Sequence, residues 1–169
     1  MNPRLFSSSV FRVGCGIALL AAPLSAFGEL KLPAIISDHM VLQQKQANPI
    51  WGWDEPGTEV TVTLGDQVKN AKAGEDGKWT VKLDPLDANA EPATIVIEGT
   101  SRCEITDVLV GEVWMCSGQS NMGMTLAGDW KAEVESLSSN HPNLRLISVP
   151  RVGTQELQND FKGQWESAN

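Results

Sequence analysis

The first half of the chain alternates apolar and polar residues over short runs, which is the pattern of β-strands. In Glu59–Leu64 and Trp79–Leu83 every second residue is apolar, so these residues would face one side of a sheet. Turn-forming segments such as Asp54–Gly57 and Glu75–Lys78 separate the runs. Further strands are predicted at Met40–Gln43, Pro49–Trp53, Gln67–Ala73 and Ala93–Glu98. Residues 29–107 are therefore predicted to form an antiparallel β-sandwich-like domain.

The pattern changes near residue 107. Val108–Cys116 is almost continuously apolar, which is typical of a strand buried on both faces. Trp130–Ser138 carries apolar residues at helical spacing, and Asp129 stands where a helix cap is expected. Leu144–Val149 reads as another strand. Strand, turn, helix and strand in this order predict the beginning of an α/β layer over residues 108–169, with the helix packed on the sheet.

This second domain is expected to be incomplete in the chain. One strand–helix–strand unit cannot cover both faces of a sheet. From Pro150 to Asn169 the sequence is polar and resembles a loop. The fold class is therefore mixed: an antiparallel β-sandwich-like domain followed by a truncated α/β domain.

The N-terminal segment has the features of a signal peptide. Arg4 and Arg12 lie in a stretch without acidic residues, and the apolar segment Val13–Leu24 follows. Small residues at Ala26 and Gly28 favour cleavage after Gly28. The apolar segment is too short to span a bilayer as a helix. Residues 1–28 are therefore expected to direct secretion or export to the periplasm, with no stable membrane insertion after cleavage.

Charge and composition exclude some partners. The chain has 169 residues and a formal net charge of −8, and a nucleic-acid partner would require a basic surface instead. Trp is over-represented, with six residues and no Tyr. Trp51, Trp53 and Trp79 would suit either a sugar-stacking platform or a strand core. The core is favoured because Trp79 is in phase with the apolar residues of its strand.

Two cysteines remain after cleavage, Cys103 and Cys116. In an exported protein such a pair can form a disulfide, but two separate buried thiols fit the pattern as well. A metal site is not expected, because no His stands at ligand spacing from them. No metal or other cofactor is expected.

A candidate nucleophile follows the apolar strand, in Gly118–Gln119–Ser120–Asn121. A serine at the C-terminal end of a strand can present its hydroxyl at the sheet edge, where backbone N–H groups can face a developing oxyanion. Gly118 would let the backbone turn tightly. A serine beside a glycine is more often only part of a turn, so the local pattern leaves both interpretations open.

A wider resemblance favours catalysis. Gly118–Met122, preceded by Val110–Trp114, resembles the nucleophile block of the sialate O-acetylesterase family, a group of SGNH-type carbohydrate esterases. The similarity extends from about Leu32 to Trp165. Three upstream segments resemble the N-terminal β-domain of the family: Ile36–Gln43, Ile50–Trp53 and Pro56–Val60.

The resemblance implies a serine acyl-enzyme mechanism. Ser120 would attack the acetyl carbonyl, and its backbone N–H would be one oxyanion donor. Gln119 and Asn121 would shape the turn. The substrate would be an acetylated sugar or glycan, with sialic acid or a related sugar as the acetyl carrier. In the family the catalytic Asp and His come from later blocks than those present here.

Neither His39 nor His141 is expected to activate Ser120. His39 lies in the segment that resembles the β-domain, where a structural role is expected, and His141 stands beside Pro142 at a predicted helix end. Without a base a serine hydroxyl is a poor nucleophile, so this chain alone is expected to be inactive. Two alternatives remain: a secreted carbohydrate-binding or adhesion module without catalysis, and an acetyl xylan-type esterase. The oligomeric state is left open.

Overall fold

The computed structural model describes residues 29–168, and the predicted signal peptide lies outside them. Strands dominate the described chain. The first seven are β1 (Val41–Gln43), β2 (Asn48–Trp53), β3 (Glu59–Leu64), β4 (Gln67–Lys72), β5 (Lys78–Leu83), β6 (Asn89–Glu98) and β7 (Arg102–Gly111). The predicted β-rich character of the first half is confirmed.

Two sheets share one core. β1, β7, β6, β3 and β4 form a five-stranded sheet in that order, and β2 pairs with β5. All pairings are antiparallel except that of β1 with β7, which is parallel. Val60, Val62 and Leu64 of β3 point into the core, as their alternation predicts, and share it with Ile50 of β2 and Leu83 of β5. Burial of each such side chain contributes about 1.5–3 kcal/mol to folding.

Asp54 fastens the turn after β2 to the turn between β6 and β7. Its buried carboxylate accepts hydrogen bonds from the backbone N–H groups of Glu55 and Thr100, at 2.7 and 3.0 Å, and from the Thr100 hydroxyl at 2.6 Å. A Cβ at Gly99 would lie only 2.0 Å from a carboxylate oxygen of Asp54. Glycine is therefore needed there for the close approach.

The strand predicted at Val108–Cys116 is wrong in its limits. β7 begins earlier, at Arg102, and ends at Gly111, while Trp114 is 82% exposed. β1 ends opposite Gly111, and the pairing with β6 reaches only Val110. Beyond Gly111 no strand within residues 29–168 pairs with the apolar run on either side. The predicted domain boundary after residue 107 falls inside β7.

The C-terminal region also departs from its prediction. It contains α1 (Ala132–Ser138), β8 (His141–Ile147) and β9 (Trp165–Ala168), and β8 pairs with β9 in an antiparallel two-stranded sheet. α1 lies within the predicted helix, but no residue of it is buried, so it does not pack on a sheet within residues 29–168. Asp129 accepts a hydrogen bond from the N–H of Lys131, just before the helix, and Lys131 occupies the cap position. Among residues 108–168 no strand–helix–strand layer forms.

The sequence predicts a loop from Pro150 onward, but this segment ends in β9. The indole Nε1–H of Trp165 donates to the carbonyl oxygen of Ile35 at 2.9 Å, and the Asp160 carboxylate accepts from the N–H of Ala34 at 2.8 Å. These contacts hold β9 and the segment before it against the first turns of the β-domain.

The two cysteines match neither alternative. Cys103 is half-buried, Cys116 is exposed, and both are free thiols. Desolvation raises the pKa of the Cys103 thiol, with further contributions from the charges of Asp38 and Glu104.

Candidate functional site

Ser120 begins a single 3₁₀ turn, Ser120–Gly123, on the surface. The N–H of Met122 donates to the carbonyl oxygen of Gln119 at 3.0 Å. Gln119 is extended before the turn, with φ −100° and ψ −159°. Ser120 and its neighbours Gln119 and Asn121 are exposed, so the hydroxyl is accessible to a substrate.

Two glycines bracket this turn, and in each case another side chain lies where a Cβ would be. A Cβ at Gly118 would lie 2.7 Å from Cγ of Met122. A Cβ at Gly123 would lie 1.6 Å from Nη2 of Arg151. Gly118 and Gly123 thus each lie against a neighbouring side chain, and the sequence alone did not reveal the contact at Gly123.

The segment that leads from β7 to the turn is fixed at its start by the β-domain. The Glu112 carboxylate accepts hydrogen bonds from the side-chain amides of Gln43, at 3.1 Å, and Gln44, at 2.5 Å. In return, Oε1 of Gln43 accepts from the N–H of Val113 at 2.8 Å. The hydrogen bond from Gln43, followed by that from Gln44, lowers the pKa of the Glu112 carboxyl. Two sequence blocks that carry the resemblance thus meet in space where β7 ends.

A second cluster of charged side chains joins the β-domain to β8. Nδ1 of His39 lies 2.6 Å from Oδ2 of Asp107, and the Arg145 guanidinium forms two hydrogen bonds with the same carboxylate. The Arg145 side chain is only 7% exposed. The hydrogen bonds from Arg145 and then His39 lower the pKa of Asp107 to about 2.

This geometry assigns the imidazole proton. Asp107 is ionised at neutral pH and can only accept, so Nδ1 of His39 must donate to it. In neutral His39 the lone pair therefore lies on Nε2. His39 and Asp107 both have left-handed backbones, with φ of 67° and 54°. The expected structural role of His39 agrees with these contacts. Asp107 and Arg145 were not singled out from the sequence, because only the fold brings residues of β7 and β8 together.

The four predicted site residues are neighbours in the sequence and lie at one turn, and both histidines have their contacts elsewhere. Gly118, Gln119, Ser120 and Asn121 are consecutive around one turn, whereas His39 is held by Asp107. His141 begins β8, where it is exposed and pairs with Ala168. Within residues 29–168 neither histidine hydrogen-bonds to Ser120.

The tryptophans of the β-domain divide between core and surface. Trp79 is 2% exposed and belongs to the core, as its phase in the strand predicts. Trp51 and Trp53 are half-buried, and the Lys31 ammonium lies 5.8 Å from the ring centre of Trp53. A flat, three-ring sugar platform is therefore not formed, because one of its rings is buried.

The described residues, 29–168, contain neither a metal cluster nor a membrane-spanning helix. No group of three or more His, Cys, Asp or Glu side chains there is arranged to hold a metal ion. No helix in that range is long and apolar enough to cross a membrane.

Comparison with known proteins places the chain in a family. It is 36% identical over 154 residues to human sialate O-acetylesterase, which covers 83% of this chain and 29% of that protein. It is 32% identical over 166 residues to the rat sialate O-acetylesterase, covering 89% of this chain and 30% of the relative. No family model matches the sequence.

A solved structure agrees with these relatives. The carbohydrate acetylesterase XAC1771 of Xanthomonas citri superposes with a TM-score of 0.79 at 31% identity, covering 83% of this chain and 33% of that one. The chain therefore spans about a third of the length of the proteins it matches. It belongs to the sialate O-acetylesterase family and corresponds to an N-terminal portion of its relatives.

Proposed function

We propose that this chain is part of an exported carbohydrate esterase that removes O-acetyl groups from sialic acid or a related sugar, with Ser120 as the nucleophile. Exposure of Ser120 at the head of a glycine-bracketed turn is the observation that carries the proposal. The relatives named sialate O-acetylesterase and carbohydrate acetylesterase support the substrate class.

The reaction would proceed in two acyl transfers. The Ser120 hydroxyl oxygen attacks the acetyl carbonyl, a base takes the hydroxyl proton, and the backbone N–H of Ser120 donates to the oxyanion. The sugar hydroxyl leaves with a proton, and an acetyl-serine remains. Water then attacks the acetyl-serine and releases acetate. Gln119 and Asn121 hold the turn in position for both steps.

We place the general base outside residues 29–168. His39 is held by Asp107, and His141 is in β8, so neither is assigned this role. We assign the catalytic Asp and His to an SGNH-type α/β domain that begins in residues 108–169 and is completed by further sequence. The 169-residue chain by itself would then have no measurable esterase activity.

The test is hydrolysis of p-nitrophenyl acetate by the full-length gene product. Ser120→Ala is expected to lower kcat by about 10⁴-fold or more, as for other serine nucleophiles. Ser117→Ala is the matched control, since Ser117 is exposed three residues earlier in the same segment. Equal rates for wild type and Ser120→Ala would contradict the proposal.

A second candidate is a carbohydrate-binding or adhesion module without catalysis. It is favoured by the core of the β-domain, whose buried side chains come almost entirely from residues 29–111. Because β7 ends at Gly111, the segment to test is residues 29–111. Glycan-array binding by that segment, together with an inactive full-length product, would favour this function over the esterase.

A further inference from the structure

Arg151 differs from the other arginines of the described chain. Arg102 forms ion pairs with Glu98 and Glu104, and Arg145 is held by Asp107. Arg151 is exposed and forms no ion pair within residues 29–168. Its hydrogen-bond donors are therefore available to a ligand.

The guanidinium of Arg151 lies against the turn that Ser120 begins. The position of a Cβ on Gly123 is 1.6 Å from Nη2, 2.7 Å from Cζ and 3.2 Å from Nη1 of Arg151. The group therefore packs on the glycine backbone, in space that any other residue would fill. A 3₁₀ turn rises about 2 Å per residue, so Gly123 lies about 6 Å along the axis from Ser120. The guanidinium therefore lies against the last residue of the turn that Ser120 begins.

The chemistry of the group indicates its ligand. A guanidinium is planar, stays charged, and matches a carboxylate with two parallel hydrogen bonds. The chain carries a net charge of −8, so an anionic substrate would be repelled unless a local cation received it. A neutral acetylated sugar gives such a fork no anionic partner.

We propose that Arg151 is a specificity-determining residue that binds the carboxylate of an acetylated sugar acid beside Ser120. The substrates of the site are then acidic sugars in preference to neutral ones such as acetylated xylan. This inference rests on the proposed function, since it needs the substrate to approach Ser120. Gly123 contributes because it has no side chain, and the Arg151 guanidinium occupies the space that a side chain would fill.

The test measures binding, separately from catalysis. The full-length gene product carrying Ser120→Ala is titrated with O-acetyl-N-acetylneuraminic acid and with its C1 methyl ester, which masks the carboxylate. The acid is expected to bind about tenfold more tightly than the ester, the size of one charge-assisted bidentate contact. Adding Arg151→Lys, which keeps the charge and loses the fork, is expected to remove most of this preference.

Two further variants locate the effect. Gly123→Ala keeps Arg151 but displaces its guanidinium, so it too should reduce the preference for the acid. Arg102→Lys is the matched control, since Arg102 is exposed and paired on the β6–β7 hairpin, and it should leave the preference unchanged.

The failures are distinguishable. Equal affinity for acid and ester, no binding of either, or a preference that survives Arg151→Lys would overturn the role of Arg151. Unchanged p-nitrophenyl acetate hydrolysis in Ser120→Ala would overturn the proposed function instead.

Discussion

Residues 29–111 bury many of their apolar side chains, whereas residues 112–168 leave many of theirs exposed. The first region packs them between its two sheets, and Ile50, Leu83 and Ile97 are fully buried. The second region leaves large apolar side chains in solvent, with Met115 92% and Leu157 100% exposed. Apolar patterning is present in both regions, but among residues 29–168 only the first packs two sheets against each other. A pattern predicts burial only where the fold supplies a second surface.

The strongest way to break this comparison is the same substitution in both regions. Leu83 is fully buried in β5 and Leu137 is 87% exposed in α1. Leu83→Ala is expected to lower the free energy of unfolding by about 2–5 kcal/mol, because it leaves a cavity in the core. Leu137→Ala is expected to change it by about 0.5 kcal/mol or less. Urea unfolding of the 169-residue chain measures both, and similar losses would contradict the contrast.

Glycines give a second matched pair. A Cβ at Gly52 would lie 2.4 Å from the backbone oxygen of Lys31 and 2.9 Å from the Trp79 ring, whereas nothing lies within 4 Å of one at Gly128. Gly52→Ala is therefore expected to cost about 1–3 kcal/mol through overpacking. Gly128→Ala should be close to neutral. Thermal unfolding followed by circular dichroism compares them, and a neutral Gly52→Ala would show that this part of the core can relax.

The contact between the two regions can be tested at Arg145. Arg145→Ala removes the hydrogen bonds from Arg145 to Asp107 and leaves only the one from His39. Because the Arg145 side chain is nearly buried, we expect the free energy of unfolding to fall by about 1–3 kcal/mol. Arg102→Ala is the control, because an exposed ion pair contributes at most about 1 kcal/mol. Equal effects in urea unfolding would show that the pair joining β7 to β8 contributes no more than a surface pair.

The smallest expected effect is the pH dependence of the same contact. The pKa of Asp107 is lowered from 3.8 to about 2, so the unfolded chain binds more protons than the folded chain between these values. The contribution of ionised Asp107 to the free energy of unfolding is therefore fully present above about pH 4 and is lost as the pH falls through about 2. Asp107→Asn should flatten the decline in stability of the 169-residue chain between pH 5 and pH 2. An identical decline in the variant would contradict the assignment.

Sequence predicted the elements that depend on local pattern. The alternation in Glu59–Leu64 corresponds to β3, and the helical spacing that ends at Ser138 corresponds to α1. It failed where the outcome depends on partners distant in the chain. Val113–Cys116 is as apolar as a buried strand, yet no neighbouring strand in the described part of the chain extends that far. Trp165–Ala168 has no strong strand pattern. It forms β9 because it pairs with β8 and because the Trp165 indole donates a hydrogen bond to Ile35.

The candidate site shows the same limit. The residues from Gly118 to Asn121 could be named from the sequence, because the turn is local and the resemblance covers it. The packing of Arg151 on Gly123, and of Arg145 on Asp107, joins residues that are far apart in the chain. The sequence around Arg151 carries no local pattern that distinguishes it from an ordinary surface residue.

The hydrogen bond from Trp165 to Ile35 has a consequence for the order of folding during synthesis. It joins residues 130 positions apart, so it can form only after nearly all of the described chain has left the ribosome. Among the described strands, β1 to β7 pair only with one another, and all of them are synthesised before Trp165. We therefore expect the β-domain to fold first on the nascent chain and to offer Ile35 as a finished docking point for β9.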